Sequence, residues 1–405
     1  RMRDAAMIRR TEIALVYGAG LVQGLALVVF PAASGVFTSP SFHGLSSSQY
    51  GSLFLPLVAA AIVASTVGGP LARRQGLKRV LLAGLGFDLL AMGMLAASQL
   101  AVGTPRLAYG SLLFATSALG LGFGAALTAL NALAAGYFPE RSERAVTALH
   151  ALLGTGTALA PLLVALVTGL GAWWALPVAV AAVLAVLVAL GTRLSLNPSA
   201  GAKSEGGRQH AGLLAAARLL GLFAAAGIVY GMIETIYANW AVIYLREDAG
   251  VSARDAGYAL TAFWAMVTVG RLAVAAVGGR LSPARIYPLL PGLMVVAFLW
   301  IALVDGAAAG IGAFALAGLA CSAFLPLTIG FATACHRDRA EIVSGAMVAA
   351  YMLGFGIGSF GLGPLRDAAR IPLSVLYGSS SVLAMALGGM ALVLASRRQA
   401  VLAAS

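Results

Sequence analysis

One acidic side chain stands alone in a long apolar stretch of the sequence. Glu234 is the only charged residue between Arg218 and Arg246, and its neighbours are apolar, aromatic or small. Tyr230 and Tyr237 lie four residues before it and three residues after it, which places them on one face of a helix. A carboxylate beside two phenol hydroxyls can accept a proton or bind the hydroxyl groups of a ligand. The pattern predicts a surface with that chemistry.

Other polar side chains also lie deep inside apolar stretches. Histidine is a common proton relay in proteins, so His150 could carry protons. Gln23 and Asn131 can bond ligand hydroxyls, and aromatic rings can stack on a solute. Each of them could equally be a structural link between helices. The candidate proton-coupling residues are Glu234, His150 and Asp88. The candidate substrate contacts are Gln23, Asn131, His150, Tyr230, Glu234, Tyr237, Trp240, Trp264 and Tyr351.

The composition shows what kind of element must carry these residues. Of the 405 residues, 60% are hydrophobic and 10% are charged, whereas soluble domains carry about 25% charged residues. The mean hydropathy is +0.94. The apolar stretches do not alternate with polar residues as barrel strands do. The chain is therefore predicted to be an all-α protein that crosses a membrane several times.

Apolar stretches long enough for a membrane helix, about 20 residues, can be counted directly. The predicted spans are 13–36, 49–71, 80–101, 108–135, 146–169, 174–192, 213–244, 256–278, 287–304, 309–334, 343–363 and 372–395. The polar linker 193–212 separates a first six-helix bundle, 1–192, from a second, 213–405. Many secondary transporters divide in this way and bind substrate between the halves.

The positive charges favour one orientation in the membrane. Basic residues concentrate in alternate loops, which cytoplasmic loops do, so both termini are predicted to be cytoplasmic. The net charge of +12 is explained by these loops, and we expect no nucleic-acid partner. The basic residues of the predicted cytoplasmic segments include Arg9, Arg10, Arg73, Arg74, Lys78, Arg79, Arg141, Arg144, Arg193, Lys203, Arg208, Arg280, Arg285, Arg337, Arg339, Arg397 and Arg398.

The loop after the second span, "GGPLARRQGLKR", resembles the signature G-x-x-x-D-R-x-G-x-[RK]-[RK] of the major facilitator superfamily. The matching residues are Gly69, Arg74, Gly76, Lys78 and Arg79. Arg73 occupies the acidic position of the pattern. We interpret Gly69 as a site of close helix approach and Gly76 as a tight turn. The resemblance implies the major facilitator fold, twelve helices in two six-helix bundles, with this loop gating the conformational cycle.

Further stretches resemble one family within that superfamily. "NALAAGYFPERSERAVTALHALLGTGTALAP" is similar to the region of helices 4 and 5 of the fucose:proton symporter family. "YGMIETIYANW" and "FWAMVTVGR" are similar to helices 7 and 8 of the same family. This resemblance implies proton-coupled transport of a small organic solute, with a sugar as one possibility. It also implies an inner-membrane location and alternating access to a central site.

Three alternatives stay open after these comparisons of residues. Gly156, Ala160 and Pro161 partly match an element of drug antiporters, so proton-driven efflux of drugs or metabolites is the first. The second is a membrane-embedded enzyme or receptor, although no catalytic triad, metal cluster or nucleotide-binding loop is visible. The third is a sodium-coupled or facilitative carrier. We expect no cofactor, a monomer, and lipids, protons and a small solute as partners.

The charge pattern makes a testable prediction of topology. Lys203 should face the cytoplasm and His43 the opposite side, because Lys203 lies in a linker that also carries Arg193 and Arg208. A cysteine at position 203, in a variant without Cys321 and Cys335, should resist an impermeant thiol reagent in intact cells. The reagent should label it after permeabilisation, and labelling in intact cells would refute the orientation.

Overall fold

The computed structural model describes residues 2–196, 213–277, 283–335 and 340–404. Most of the predicted linker, including Lys203 and Arg208, lies outside the described residues, and so do the loop residues Arg280, Arg337 and Arg339. Within the described part, twelve helical spans are long and apolar enough to cross a membrane. They coincide with the twelve spans predicted from the sequence, which confirms the predicted helical class.

The first six spans are built from eight α-helices. These are α1 (Met2–Ala32), α2 (Ser34–Thr38), α3 (Ser47–Ser52), α4 (Phe54–Gln75), α5 (Leu77–Ala97), α6 (Pro105–Tyr137), α7 (Ser142–Gly169) and α8 (Ala175–Arg193). Pro105 begins α6, where its missing N–H costs no helical hydrogen bond.

The last six spans are also built from eight α-helices. These are α9 (Leu213–Ile243), α10 (Ala253–Val277), α11 (Pro283–Ile286), α12 (Leu289–Ala302), α13 (Ala307–Cys321), α14 (Phe324–Cys335), α15 (Ala340–Ala369) and α16 (Leu373–Ala404). One π-helical turn, Tyr244–Asp248, follows α9.

The helices form two compact units. Unit 1 contains residues 1–45 and 53–206, and unit 2 contains residues 46–52 and 207–405. The segment 46–52, which includes α3, therefore packs with the second unit although it precedes α4 in sequence. Asp367 of α15 accepts the backbone N–H of Ser47 at 3.3 Å and that of Ser48 at 2.7 Å. A carboxylate at the start of α3 supplies the acceptors that a helix N-terminus lacks.

The same pattern of helix pairs recurs in both units. In unit 1, α1 packs on α7, α4 on α6 and α5 on α8. In unit 2, the corresponding pairs are α9 with α15, α10 with α13, and α12 with α16. The chain therefore contains two structural repeats.

Reciprocal glycines form a close helix crossing in each repeat. A Cβ on Gly24 of α1 would lie 1.9 Å from the Leu153 carbonyl oxygen, and one on Gly156 of α7 would lie 2.1 Å from that of Leu21. In unit 2, a Cβ on Gly231 would lie 2.3 Å from the carbonyl oxygen of Tyr351. Only glycine permits these backbones to touch, as in other membrane helix pairs.

This crossing yields a prediction with a matched control on one helix. A Cβ on Gly354 of α15 would lie 1.9 Å from the Ile228 carbonyl oxygen, whereas one on Gly361 meets no atom within 4 Å. Gly354→Ala should therefore force α9 and α15 apart and cost about 1–3 kcal/mol. Gly361→Ala should be neutral or slightly stabilising, because alanine favours helix.

Thermal unfolding of both variants in one detergent measures the difference. A melting temperature that falls in Gly354→Ala and not in Gly361→Ala is the expected result. Equal melting temperatures would contradict the close crossing.

Candidate functional site

Glu234 lies in unit 2, at the crossing of α9 and α15. Its side chain is 3% exposed. The hydroxyl of Tyr351 on α15 donates to Glu234 Oε2 at 2.6 Å, and the hydroxyl of Tyr230, one turn earlier on α9, lies 3.1 Å from Oε1. The crossing at Gly231 explains the geometry, because it brings α15 close enough for Tyr351 to reach the acid. Glu234 thus accepts the Tyr351 hydroxyl and lies within hydrogen-bond distance of a second phenol.

A break in the tenth span supplies two more polar groups. Helix α13 ends at Cys321 and α14 begins at Phe324. Pro326 has no N–H, so the Ser322 carbonyl loses the donor four residues ahead of it. Arg271 Nε donates to this carbonyl oxygen at 3.0 Å. The Cys321 carbonyl oxygen lies 2.8 Å from the Tyr230 hydroxyl, which holds one hydrogen and donates to it or to Glu234.

Arg271 brings a positive charge to this cluster. It lies in the membrane-spanning part of α10, its side chain is exposed, and it acts electrostatically on Glu234. Side chains on a helix lean towards its N-terminus, so Arg271 reaches the broken helix at Ser322. We call Glu234, Tyr230, Tyr351, Arg271 and the carbonyls of Cys321 and Ser322 the Glu234 cluster.

Aromatic rings fix the positions of these groups. The ring of Tyr230 stacks on that of Phe324, with ring centres 5.3 Å apart, and Tyr287 stacks on the same ring at 4.6 Å. Stacked rings pack closely and bury apolar surface. The Tyr230 hydroxyl is therefore held where it can reach both the carboxylate and the broken helix.

Three predicted aromatic contacts lie away from the Glu234 carboxylate. Tyr237 stacks on Phe298 at 4.1 Å and donates its hydroxyl to the Met294 carbonyl oxygen of α12. It shares a helix face with Tyr230, but seven residues separate their Cα atoms by about 10 Å along the helix axis. Trp240 is fully buried and donates to the Ser359 carbonyl. Trp264 is half-buried, and its indole N–H has no acceptor among the described residues.

The four predicted residues of unit 1 form two pairs. Gln23 on α1 donates its amide N–H to Asp88 on α5, and both side chains are buried. His150 on α7 lies 3.0 Å from the amide oxygen of Asn131 on α6, and its side chain is exposed. Each pair links two helices of its unit. Gln23 and Asp88 thus form a link between helices, which is the structural alternative considered for them above.

Comparison with known proteins identifies the family. The family model described as Major Facilitator Superfamily matches residues 13–360. The chain belongs to the Major Facilitator Superfamily. The sequence matches none of the curated proteins with which it was compared.

Solved structures of superfamily members share the fold. The chain is similar to the nucleoside transporter NupG, with a TM-score of 0.72 and 16% identity, over 96% of this chain and 99% of that one. A bacterial homologue of the human lysosomal transporter Spinster matches with a TM-score of 0.68 and 15% identity, over 97% and 96%. The fucose:proton symporter FucP of E. coli matches with a TM-score of 0.58 and 16% identity, over 95% and 98%.

The superfamily loop lies between α4 and α5, and its residues have different roles. Gly76 has a φ of +90°, so it makes the tight turn that the sequence predicts. Lys78 Nζ donates to the carbonyls of Thr192 and Leu194 at 2.8 and 2.6 Å and thereby caps the end of α8. Arg74 and Arg79 are exposed.

One interpretation of this loop is wrong. Gly69 was expected to allow close helix approach, but a Cβ there would meet no atom within 4 Å. The close helix crossings of unit 1 lie elsewhere, among them the one at Gly24 and Gly156. The spacing of glycines in a motif does not show which side of the helix faces a neighbour.

Two features of the structure are not among the predicted site residues. Glu12 is buried and accepts the Ser195 hydroxyl at 2.6 Å, the Leu196 N–H at 2.9 Å and the Tyr137 hydroxyl at 3.0 Å. The second is the pairing of Arg271 with the break at Ser322. Pro326 inside a predicted span was the available signal, since proline frees a carbonyl within a helix.

The loop makes a prediction that separates stability from turnover. Lys78→Ala removes two hydrogen bonds from a charged donor and should cost about 1–2 kcal/mol of stability. Arg74 is exposed, so Arg74→Ala should leave the melting temperature unchanged and slow transport, if the loop gates the conformational cycle. Solute affinity should change by no more than a few-fold. A large loss of affinity at an intact turnover rate would count against this role for Arg74.

Proposed function

We propose that this chain is a proton-coupled secondary transporter, which carries a small polar organic solute across a bacterial inner membrane by alternating access. A sugar is the first candidate solute. Membership of the superfamily and the twelve spans support a transporter. The names of the similar structures, a nucleoside transporter and a fucose:proton symporter, favour a small polar solute. We place both termini in the cytoplasm and expect the monomer to be the working unit.

The Glu234 cluster is the observation that carries the proposal. A carboxylate inside a membrane span costs about 2.5 kcal/mol or more when it is charged, so a chain keeps one where it has a use. Hydroxyl groups beside Glu234 stabilise its ionised form. Its buried, low-dielectric surroundings favour the protonated form. A change of surroundings that strengthens one effect over the other can therefore move the proton.

Alternating access supplies that change of surroundings. When the site opens to water, hydration favours the ionised carboxylate, and a proton leaves or enters from the open side. When the site is closed, the protonated acid is less costly than a buried charge. The proton can thus cross the membrane with the conformational change, and a solute bound to the same cluster would cross with it.

Proton-driven efflux is the second candidate, since the same carboxylate chemistry serves an antiporter. The partial match to an antiporter element at Gly156, Ala160 and Pro161 favours it in the sequence. In the structure, however, Gly156 provides the close contact between α7 and α1, which either direction of transport can use. The direction of the pH gradient that drives accumulation distinguishes the two candidates.

Replacement of Glu234 by glutamine tests the proposal. The amide keeps the shape of the protonated acid and carries no exchangeable charge. In proteoliposomes with an imposed pH gradient, Glu234→Gln should abolish uphill accumulation of the solute. Counterflow, which needs no net proton movement, should persist. L-fucose, uridine and gluconate are the first radiolabelled probes, with an efflux arm of reversed gradient.

A second acidic residue provides the matched control. Glu247 is exposed and pairs with Arg366 at 2.9 Å, beyond the end of α9. Glu247→Gln removes the same charge and should leave both accumulation and counterflow unchanged. If Glu234→Gln accumulates solute with the wild-type dependence on pH, Glu234 does not couple protons. Loss of counterflow together with a lower melting temperature would instead show a structural role.

A further inference from the structure

We propose that Arg271 is a recognition residue for an anionic group of the transported solute, a carboxylate or a phosphate. The inference rests on the proposed transport function and narrows its substrate class. It places the solute among organic anions such as sugar acids and sugar phosphates, in contrast to neutral sugars.

Arg271 occupies an unusual electrostatic position. An arginine within a membrane-spanning segment is costly and normally pairs with an acid or reaches the membrane surface. In the described part of the chain, Arg271 makes no ion pair within 4 Å, and its only hydrogen bond joins Nε to the Ser322 carbonyl. Its positive charge is therefore not neutralised by direct contact with any described carboxylate.

The guanidinium of Arg271 is held in a defined direction. The carbonyl freed by Pro326 binds Nε and thereby draws the side chain towards the middle of the tenth span, away from the nearer end of α10. The side chain remains exposed, and both Nη groups keep their N–H donors. A guanidinium fixed by Nε with two parallel Nη donors matches the two oxygens of a carboxylate or phosphate.

Arg271 and Glu234 interact electrostatically. The titratable and charged groups that act on Glu234 are Tyr230 on its own helix, Arg271 on α10 and Tyr351 on α15. Cys321 on α13 is the further titratable group nearby. Arg271 is the only cation among them. An ionised Glu234 competes with an anionic solute for that cation, whereas a protonated Glu234 leaves it available.

Proton and anion should therefore bind together. Protonation of Glu234 strengthens the attraction of Arg271 for the solute, and by linkage the bound solute favours protonation of Glu234 to the same extent. A monovalent anion and one proton would then cross as a neutral pair, which avoids moving net charge through the low-dielectric interior. A neutral sugar would leave the charge of Arg271 without a partner in the protonated state.

The test is a binding panel of matched anionic and neutral compounds on the purified full chain. The pairs are gluconate with glucose, glucose 6-phosphate with glucose, and lactate with lactamide, with thermal stabilisation and titration calorimetry as readouts. At least one anion should bind wild type about tenfold or more tightly than its neutral partner. The gluconate and lactate arms report a carboxylate, and the glucose 6-phosphate arm reports a phosphate.

Variants assign the preference to Arg271. Arg271→Gln can still donate to Ser322 and should lose the preference for the anion. Arg271→Lys keeps the charge but not the two-pronged donor and should lose part of it. Arg254→Gln removes a cation from the same helix, where the exposed Arg254 lies over the Tyr258 ring, and should behave like wild type.

Glu234→Gln distinguishes this inference from the proposed function. Anion affinity in wild type should increase as the pH falls, and Glu234→Gln should bind the anion tightly at every pH. The inference is overturned if no anion in the panel binds, if neutral partners bind as well as anions, or if Arg271→Gln keeps the preference. Failure of proton coupling in proteoliposomes would leave these binding results intact.

Discussion

A polar group inside a membrane span must find its partner within the protein, and the structure around Glu234 follows from that constraint. The hydrocarbon core of a membrane offers no hydrogen-bond partner to a carboxylate. The close crossing of α9 and α15 at Gly231 and Gly354 brings the Tyr351 hydroxyl to one carboxylate oxygen. The break between α13 and α14 brings backbone carbonyls to Tyr230 and Arg271. The crossing of α9 and α15 and the break between α13 and α14 thus both position groups around Glu234.

The two repeats share a scaffold but differ in their chemistry. Gln23 precedes the close-contact glycine Gly24 in α1, and Tyr230 precedes its counterpart Gly231 in α9. In unit 1 the residue at this position binds the carboxylate of Asp88, and in unit 2 it binds that of Glu234. The difference lies in the surroundings: Glu234 has a cation within electrostatic reach, whereas the one hydrogen-bond partner of Asp88 among the described residues is a neutral amide. Two similar crossings therefore hold two carboxyl groups in unlike electrostatic environments.

The twelve spans were predictable from the sequence because membrane helices must be long and apolar whatever their tertiary contacts. Glu234 was equally visible, since a lone acid in an apolar stretch needs no structure to be noticed. Its partners were less visible. Tyr351 lies on a distant helix, and only the crossing at Gly354 shows that it meets Glu234. Helical spacing placed Tyr237 beside Glu234, but its ring turns to α12, because a shared helix face does not fix which neighbour a long side chain reaches. Gly69 fails for the same reason.

The position of Arg271 shows how one proline can determine where a charged side chain of a neighbouring helix lies. With an N–H at position 326, the Ser322 carbonyl oxygen could accept the helical hydrogen bond from that residue. It would then be a poorer acceptor for Arg271. An arginine without that acceptor could extend along α10 towards the nearer membrane surface. The freed carbonyl instead holds the cation beside the cluster, where Glu234 is sensitive to it. The charge that distinguishes the two repeats is thus placed by a missing backbone donor.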